Sequence, residues 1–379
     1  MMKKLPKIWL SSPHMGGGEQ EFIKSAFETN WVAPMGPNVN GFEEDLETYL
    51  DQNVYVCALS SGTAALHLAL LLLGVKEGDE VLCQSMTFSA SANPIVYLKA
   101  KPVFIDSEKD TWNICPHYLE VAIKDCISRG KKPKAIIAVH LYGMPFKADE
   151  IISISKKYDI PIVEDSAEAL GSSYKNQKCG TFGDIGILSF NGNKIITTSG
   201  GGALVAKENS IKAKALFYAT QARENDVHYE HKEIGYNYRM SNICAGIGRG
   251  QMQVLDNHVR LRRQVHQFYE DQFKNRSGIT VFNEPNSDFF SNNWISCITI
   301  DSIAANGLTR EQLKELFDIE NIETRPLWKP MHLQPVFENC LYFGEDVSEN
   351  LFKTGLCLPS GSNLNEEEKE RIKNIISNI

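Results

Sequence analysis

Three things are scarce in this sequence: surplus positive charge, long apolar runs and paired cysteines. Its 379 residues carry 39 Lys+Arg against 47 Asp+Glu, a formal net charge of −8. Nucleic acid and anionic membranes select basic faces, so neither is expected as the main partner. An anionic small molecule stays open, because a few well-placed donors suffice to hold one. The most apolar stretch, Ala64 to Val75, is interrupted by His67 and is too short to span a bilayer. The opening residues include Lys3 and Lys4 but no apolar core of signal-peptide length. Nine cysteines, an odd number without a C-x-x-C pair, argue against a zinc ribbon and a disulfide framework. Reduced thiols in a soluble, cytoplasmic protein are the expectation. Also missing are a G-x-S-x-G serine elbow and a phosphate loop ending in Gly-Lys-Ser/Thr. His228-Tyr-Glu-His231 has no further ligand cluster beside it, so a surface loop is expected there and no metal. Gly246-Ile-Gly248-Arg-Gly250 follows no strand, which makes close helix packing a better account than a dinucleotide fingerprint.

What is present is an ordinary globular composition, 42% hydrophobic and 23% charged, with length enough for two or three domains. Short apolar runs at Glu80–Cys83, Pro102–Asp106, Lys134–Val139 and Ile160–Glu164 read as strands. Helical patterns over Ser61–Leu73, Ser89–Leu98, Pro116–Ser128 and Ala148–Tyr158 lie between them. Such alternation predicts an α/β domain around a mostly parallel sheet. Two further strands, Ile185–Phe190 and Gly202–Ala206, flank a glycine-rich bend. One long helix is expected from Ser241 to about Phe273, with Arg260, Arg262 and Arg263 on a solvated face. Strands at Gly278–Phe282 and Trp294–Ile300 and helices at Thr309–Phe317 and Glu366–Ser377 follow. The expected division is a large α/β domain over 1–245 and a long helix plus a smaller α+β domain over 246–379.

Three segments could carry chemistry. Ser60-Ser61-Gly62-Thr63 stands before an apolar helix, where unpaired N–H groups and the dipole favour a phosphate. Taken alone it would be an ordinary helix cap. Asp165 and its neighbour Glu164 end a buried strand, the edge of an α/β sheet where ligands gather. Lys194 follows a strand inside a tight turn flanked by Gly192 and Gly200–Gly202, and a desolvated amine is a usable nucleophile. Pyridoxal 5′-phosphate needs all three: a phosphate anchor, an acid for its ring nitrogen and a lysine for its aldehyde.

The order and spacing of these motifs resemble the DegT/DnrJ/EryC1/StrS family of pyridoxal-phosphate sugar aminotransferases, of the aspartate aminotransferase type (fold type I). The likeness runs through Ser60–Ala65, Thr87-Phe88, Val139–Gly143, Glu164-Asp165-Ser-Ala, Gly183-Asp184, Ser189-Phe190, Lys194, Gly200–Gly202 and Gly235-Tyr-Asn237-Tyr-Arg239-Met240. The resemblance implies that Lys194 binds the cofactor's aldehyde and shuttles a proton, that Asp165 pairs with the ring nitrogen, and that Phe88 stacks on the ring. It gives Gly62, Thr63 and Ser189 to the phosphate and Asn237 to the phosphate of a neighbouring subunit, hence a homodimer with shared sites. Lysine rather than histidine at 194 implies transamination instead of dehydration. Glu168 departs from the usual glutamine or histidine near the cofactor's 3′-oxygen, so it is expected to be protonated or to shift the cofactor's tautomer.

Segments Ser11–Met15, Asn30–Pro37 and Arg325–Gln334 resemble the branch that aminates C4 of UDP-4-keto-6-deoxy-N-acetylglucosamine, toward N-acetylbacillosamine, with L-glutamate as donor. Arg325, Lys329 and His332 would supply donors for a diphosphate, Trp31 and Trp328 flat faces, and Arg239 a further substrate contact. For both tryptophans, core of the small domain is nearly as good an account. The rivals are amination at C3 or on a GDP- or dTDP-linked sugar, and, in another class, a catalytically silent cofactor-binding regulator.

Overall fold

The computed structural model describes residues 5–51 and 53–379; Lys3 and Lys4, weighed above for a targeting signal, lie outside them. Two helices, α1 (Glu19–Glu28) and α2 (Pro37–Leu50), precede the first strand, β1 (Tyr55–Leu59). Then come α3 (Gly62–Leu72), β2 (Glu80–Gln84), α4 (Asn93–Tyr97), β3 (Lys101–Ile105), α5 (Pro116–Ser128) and β4 (Ala135–Val139). They are followed by α6 (Ala148–Tyr158), β5 (Ile162–Asp165), the small ribbon β6 (Ser173–Tyr174) and β7 (Gln177–Lys178), β8 (Ile185–Ser189) and β9 (Gly202–Ala206). Three helices, α7 (Asn209–Ala219), α8 (Asn242–Met252) and α9 (Leu255–Phe273), lead to β10 (Ile279–Val281), β11 (Phe289–Phe290) and β12 (Ser296–Ile300). The last stretch holds α10 (Arg310–Ile319), β13 (Arg325–Pro326), β14 (Leu341–Phe343), α11 (Val347–Thr354), β15 (Gly355–Leu358) and α12 (Glu366–Ser377).

Eight strands form one sheet in the order β1-β9-β8-β5-β4-β2-β3-β14, in which β9 alone runs against its neighbours. Its central strands β2, β4 and β5 are buried along their whole length because helices cover both faces. In β4, Ile137 and Val139 pack in one layer with Leu66 and Leu70 of α3, while Ile136 and Ala138 join Ile123 and Ile151 of α5 and α6 on the other. A second, four-stranded antiparallel sheet, β10-β12-β15-β13, is covered by α9, α10 and α12. Two segments cross the division expected at residue 245. β14 pairs with β3 at the edge of the large sheet, and Ile8 bridges to Ile322 and enters the core of the small one.

The expected single helix over Ser241–Phe273 is two helices, broken at Gln253-Val254. The halves face different neighbours. α8 lies so close to α1 and α2 that a Cβ on Gly250 would sit 2.6 Å from the Glu19 nitrogen and one on Gly248 2.7 Å from the Phe42 ring. α9 instead turns Val265, Tyr269 and Phe273 to the small sheet. Arg262 also departs from expectation: it is fully buried, not on a solvated face. All nine cysteines are free, and no helix among the described residues is long and apolar enough to cross a membrane.

Candidate active site

β1 ends at Leu59, and the chain turns through Ser60 and Ser61 into α3. The Ser61 hydroxyl caps the helix by accepting from the Ala64 N–H at 3.0 Å, so the cap reading holds and the first backbone N–H groups of α3 are left to meet a ligand. Ser189, at the end of β8, faces this turn so closely that a Cβ on Gly62 would lie 3.0 Å from its own Cβ. Across the gap, a Cβ on Gly202 would come within 2.3 Å of the Gly62 nitrogen. Glycine is required at both places by close backbone approach.

Asp165 ends β5 between β4 and β8 and is buried. It accepts from the Ser91 hydroxyl at 2.6 Å and the Ala167 N–H at 3.2 Å, and Thr87 joins the chain with its hydroxyl 2.7 Å from that of Ser91. Burial pushes the Asp165 carboxyl above its ordinary range. Lys194 lies in the turn after β8, its N–H bonded to the Asn191 carbonyl at 3.0 Å and its side chain only 11% exposed. Burial pulls its ammonium down, and the Nζ sits 3.7 Å from Glu168 Oε1 and 4.2 Å from the centre of the Trp294 ring. Glu168 accepts the Tyr142 N–H at 2.6 Å, and burial pushes its carboxyl up to about 7. The expectation of a proton on Glu168 thus has a physical cause in desolvation.

These groups line one cavity of about 610 Å³. Gly62, Thr63, Ser189, Gly200 and Gly201 are in its lining together with Asp165, Glu168 and Lys194. Phe88, 56% exposed, stands on one wall with its ring 5.6 Å from that of Trp328, which in turn lies 5.0 Å from Tyr142. Arg325, paired with Glu323 at 2.6 Å, completes the lining. The donor set fits pyridoxal phosphate: helix-end N–H groups and hydroxyls for the phosphate, a buried acid, and a desolvated amine.

Other expected residues lie elsewhere. Arg239 is corrected as a substrate contact: its guanidinium is tied to Glu43 and to the Ala58 carbonyl, behind β1. His332 is corrected as a diphosphate donor, since its ring stacks on Tyr342 at 3.8 Å and its Nδ1 lies 2.7 Å from the Ser85 hydroxyl. Lys329 and the exposed Trp31 do not line the cavity. Asn237 is also outside this chain's cavity, exposed in an antiparallel bridge with Thr220, where Gln221 donates to it at 3.2 Å. The sequence reading missed Ser91, Trp294 and Trp9 and gave no role to Tyr142 within its Val139–Gly143 motif, and all four are in the lining. Ser91 follows the Thr87-Phe88 motif closely and so has a local signal; Trp294 and Trp9 come from segments far away in the chain and carry none.

Comparison with known proteins agrees with this geometry. Residues 13–377 match the DegT/DnrJ/EryC1/StrS aminotransferase family. EpsN of Bacillus subtilis is 51% identical over 98% of this chain and 96% of its own. GDP-perosamine synthase of Escherichia coli O157:H7 is 36% identical over 97% and 96%. The UDP-4-amino-4,6-dideoxy-N-acetyl-beta-L-altrosamine transaminase of Campylobacter jejuni is 31% identical over 91% and 90%. A DegT DnrJ EryC1 StrS aminotransferase from Brucella abortus, solved by crystallography, superposes with a TM-score of 0.86 at 27% identity, covering 95% of this chain and 94% of that one. A family match along nearly the whole chain, meeting a cavity that fits the cofactor, leaves one conclusion: this chain belongs to the DegT/DnrJ/EryC1/StrS aminotransferase family and is a pyridoxal phosphate-dependent sugar aminotransferase.

Proposed function

We propose that the enzyme moves the amino group of L-glutamate to C4 of UDP-4-keto-6-deoxy-N-acetylglucosamine in a ping-pong reaction. The observation that carries this reading is the meeting of a desolvated Lys194 with buried Asp165 inside one cavity. Bound pyridoxal phosphate supplies the electron sink that lets a C–H bond beside nitrogen break. Lys194 takes that proton from glutamate and later delivers one to C4 of the sugar. Asp165, ionised against the cationic ring nitrogen, keeps that nitrogen protonated, and the Ser91 hydroxyl fixes its carboxylate. Gly62, Thr63 and Ser189 hold the phosphate, Phe88 covers the ring, and Glu168 stands by the 3′-oxygen as a proton donor. Arg325 and Trp328 would meet the nucleotide's diphosphate and its sugar or base, a reading supported by their presence in the same lining.

UDP is preferred because the segments at 11–15, 30–37 and 325–334 resemble the UDP-sugar branch. A GDP-linked sugar is the second reading, favoured by the higher identity to the relative named for GDP-perosamine, 36% against 31%. The enzyme works in the cytoplasm as a homodimer in which Asn237 of one copy reaches the cofactor phosphate of the other. The test is reconstitution with pyridoxal phosphate, L-glutamate and a panel of UDP-, GDP- and dTDP-linked keto sugars, with products identified by mass and NMR. A 4-amino product from the UDP sugar is expected. Turnover of only the GDP or dTDP sugar, or amination at C3, rejects the substrate; no turnover of any, with cofactor bound, favours the silent regulator.

A further inference from the structure

The buried guanidinium of Arg262 stands at the centre of a hydrogen-bond network that ends one residue before Lys194. Arg262 is 1% exposed and has no carboxylate within ion-pair distance among the described residues. Its Nη1 donates to the carbonyls of Trp294 (2.6 Å) and Ser360 (3.1 Å), and its Nη2 to the Ser11 hydroxyl (3.0 Å). Both of the groups it holds at the cavity then converge. The Ser11 hydroxyl and the Trp294 indole N–H each donate to the carbonyl of Asn193, both at 2.7 Å. The same Trp294 ring lies under the Lys194 Nζ. A charge buried without a counter-ion is costly, and a fork of several donors in fixed directions is what guanidinium offers and ammonium does not. Four distant segments are joined here: the N-terminal strap, the middle of α9, the loop before β12 and the turn after β15.

We propose that Arg262 is a positioning residue for Lys194: through Ser11 and Trp294 it fixes the Asn193 carbonyl and thereby aims the lysine side chain at the cofactor. The inference rests on the reading of Lys194 as the cofactor's lysine. Misplacing a reacting group by a fraction of an ångström slows reaction without emptying the site, because binding tolerates what bond formation does not. The signature is therefore a slower covalent capture with unchanged non-covalent binding.

The experiment uses the full-length apoprotein and four variants: Ser11→Ala, Trp294→Phe, Arg262→Lys and, as control, Ser12→Ala. Ser12 sits on the same strap but bonds to Asn363, away from Asn193. Two quantities are read: the rate at which added pyridoxal phosphate develops the visible absorbance of its bond to lysine, and the Kd for pyridoxamine phosphate, which makes no such bond. Circular dichroism and thermal melting report folding. Ser11→Ala and Trp294→Phe should each slow capture about tenfold, the effect of one lost hydrogen bond, and leave the pyridoxamine phosphate Kd within about twofold. Arg262→Lys should slow capture more, and Ser12→Ala not at all. Should Arg262→Lys fail to fold, the two single-donor variants still decide. Capture at the wild-type rate in folded Ser11→Ala and Trp294→Phe overturns the proposal, as does a parallel loss of pyridoxamine phosphate binding, which would mark a purely structural role. If the wild-type protein itself forms no such bond, the reading of Lys194 fails first.

Discussion

Lys194, Asp165 and Glu168 are buried at one cavity, and their charges are set by that burial more than by each other. Replacing Lys194 by Ala should reduce turnover below about one ten-thousandth of wild type while pyridoxamine phosphate still binds, as steady-state rates and fluorescence titration would show. Asp165→Asn should slow proton removal from glutamate about a hundredfold or more, with a smaller change in cofactor affinity. Pre-steady-state absorbance separates the two quantities. Glu168 allows a prediction with a sign. Burial lifts its carboxyl from 4.5 to about 7, so the folded protein keeps a proton there that the unfolded chain has lost. Its contribution to stability is complete below pH 4.5 and is lost as pH rises through 7. Glu168→Gln keeps a neutral acceptor for the Tyr142 N–H at every pH. The apoprotein variant should therefore melt close to wild type near pH 5 and above it beyond about pH 8, and parallel melting curves across that range would contradict the assignment. At this scale the sequence was most readable where chemistry lies in short contiguous motifs, as for Lys194, Asp165 and Gly62. It misled where a donor looked free but was already taken, as Arg239 is by Glu43 and His332 by Ser85. Charge type is written in the sequence; the partner that neutralises it lies far off in the chain.

The elements were legible to the extent that burial made them uniform. Pro116–Ser128, Ala148–Tyr158 and Gly202–Ala206 have the boundaries their apolar patterns predict, because the strand is buried throughout and each helix keeps a buried stripe at helical spacing. The break between α8 and α9 was not, since both halves keep helical periodicity and only their neighbours differ. Nor were α1 and α2, whose mixed composition resembles surface loop, whereas β1 is an apolar run, Tyr-Val-Cys-Ala-Leu, that the sequence reading passed over. The glycines of α8 give this scale its prediction. A Cβ on Gly250 would collide with the backbone of Glu19, which cannot swing aside like a side-chain tip. Gly250→Ala should cost about 1–3 kcal/mol in urea denaturation despite the better helix propensity of alanine. A gain in stability would show that α1 is free to move away from α8.

Over the whole molecule, apolar side chains remain exposed on the segment that leads to Asn237. Val227 is 102% exposed and Ile234 is 85% exposed, with Tyr229 between them, while Trp31, Val32 and Met35 are bare on the loop before α2. So much uncovered apolar surface fits the proposed homodimer. Light scattering should give twice the chain mass of 42.5 kDa, and Ile234→Asp should shift the protein toward monomer and lower its affinity for pyridoxal phosphate together. A monomeric variant with full cofactor affinity would mean that the site is complete within one chain. The family resemblance already implied a homodimer, but the exposed apolar patch could not be read in advance, because the exposure of an apolar residue depends on the fold around it. The central claim is tested most directly by reducing the cofactor-loaded enzyme with borohydride and mapping the labelled peptide. The account predicts one phosphopyridoxyl group per chain, on Lys194; a label on any other lysine, or none, would contradict it.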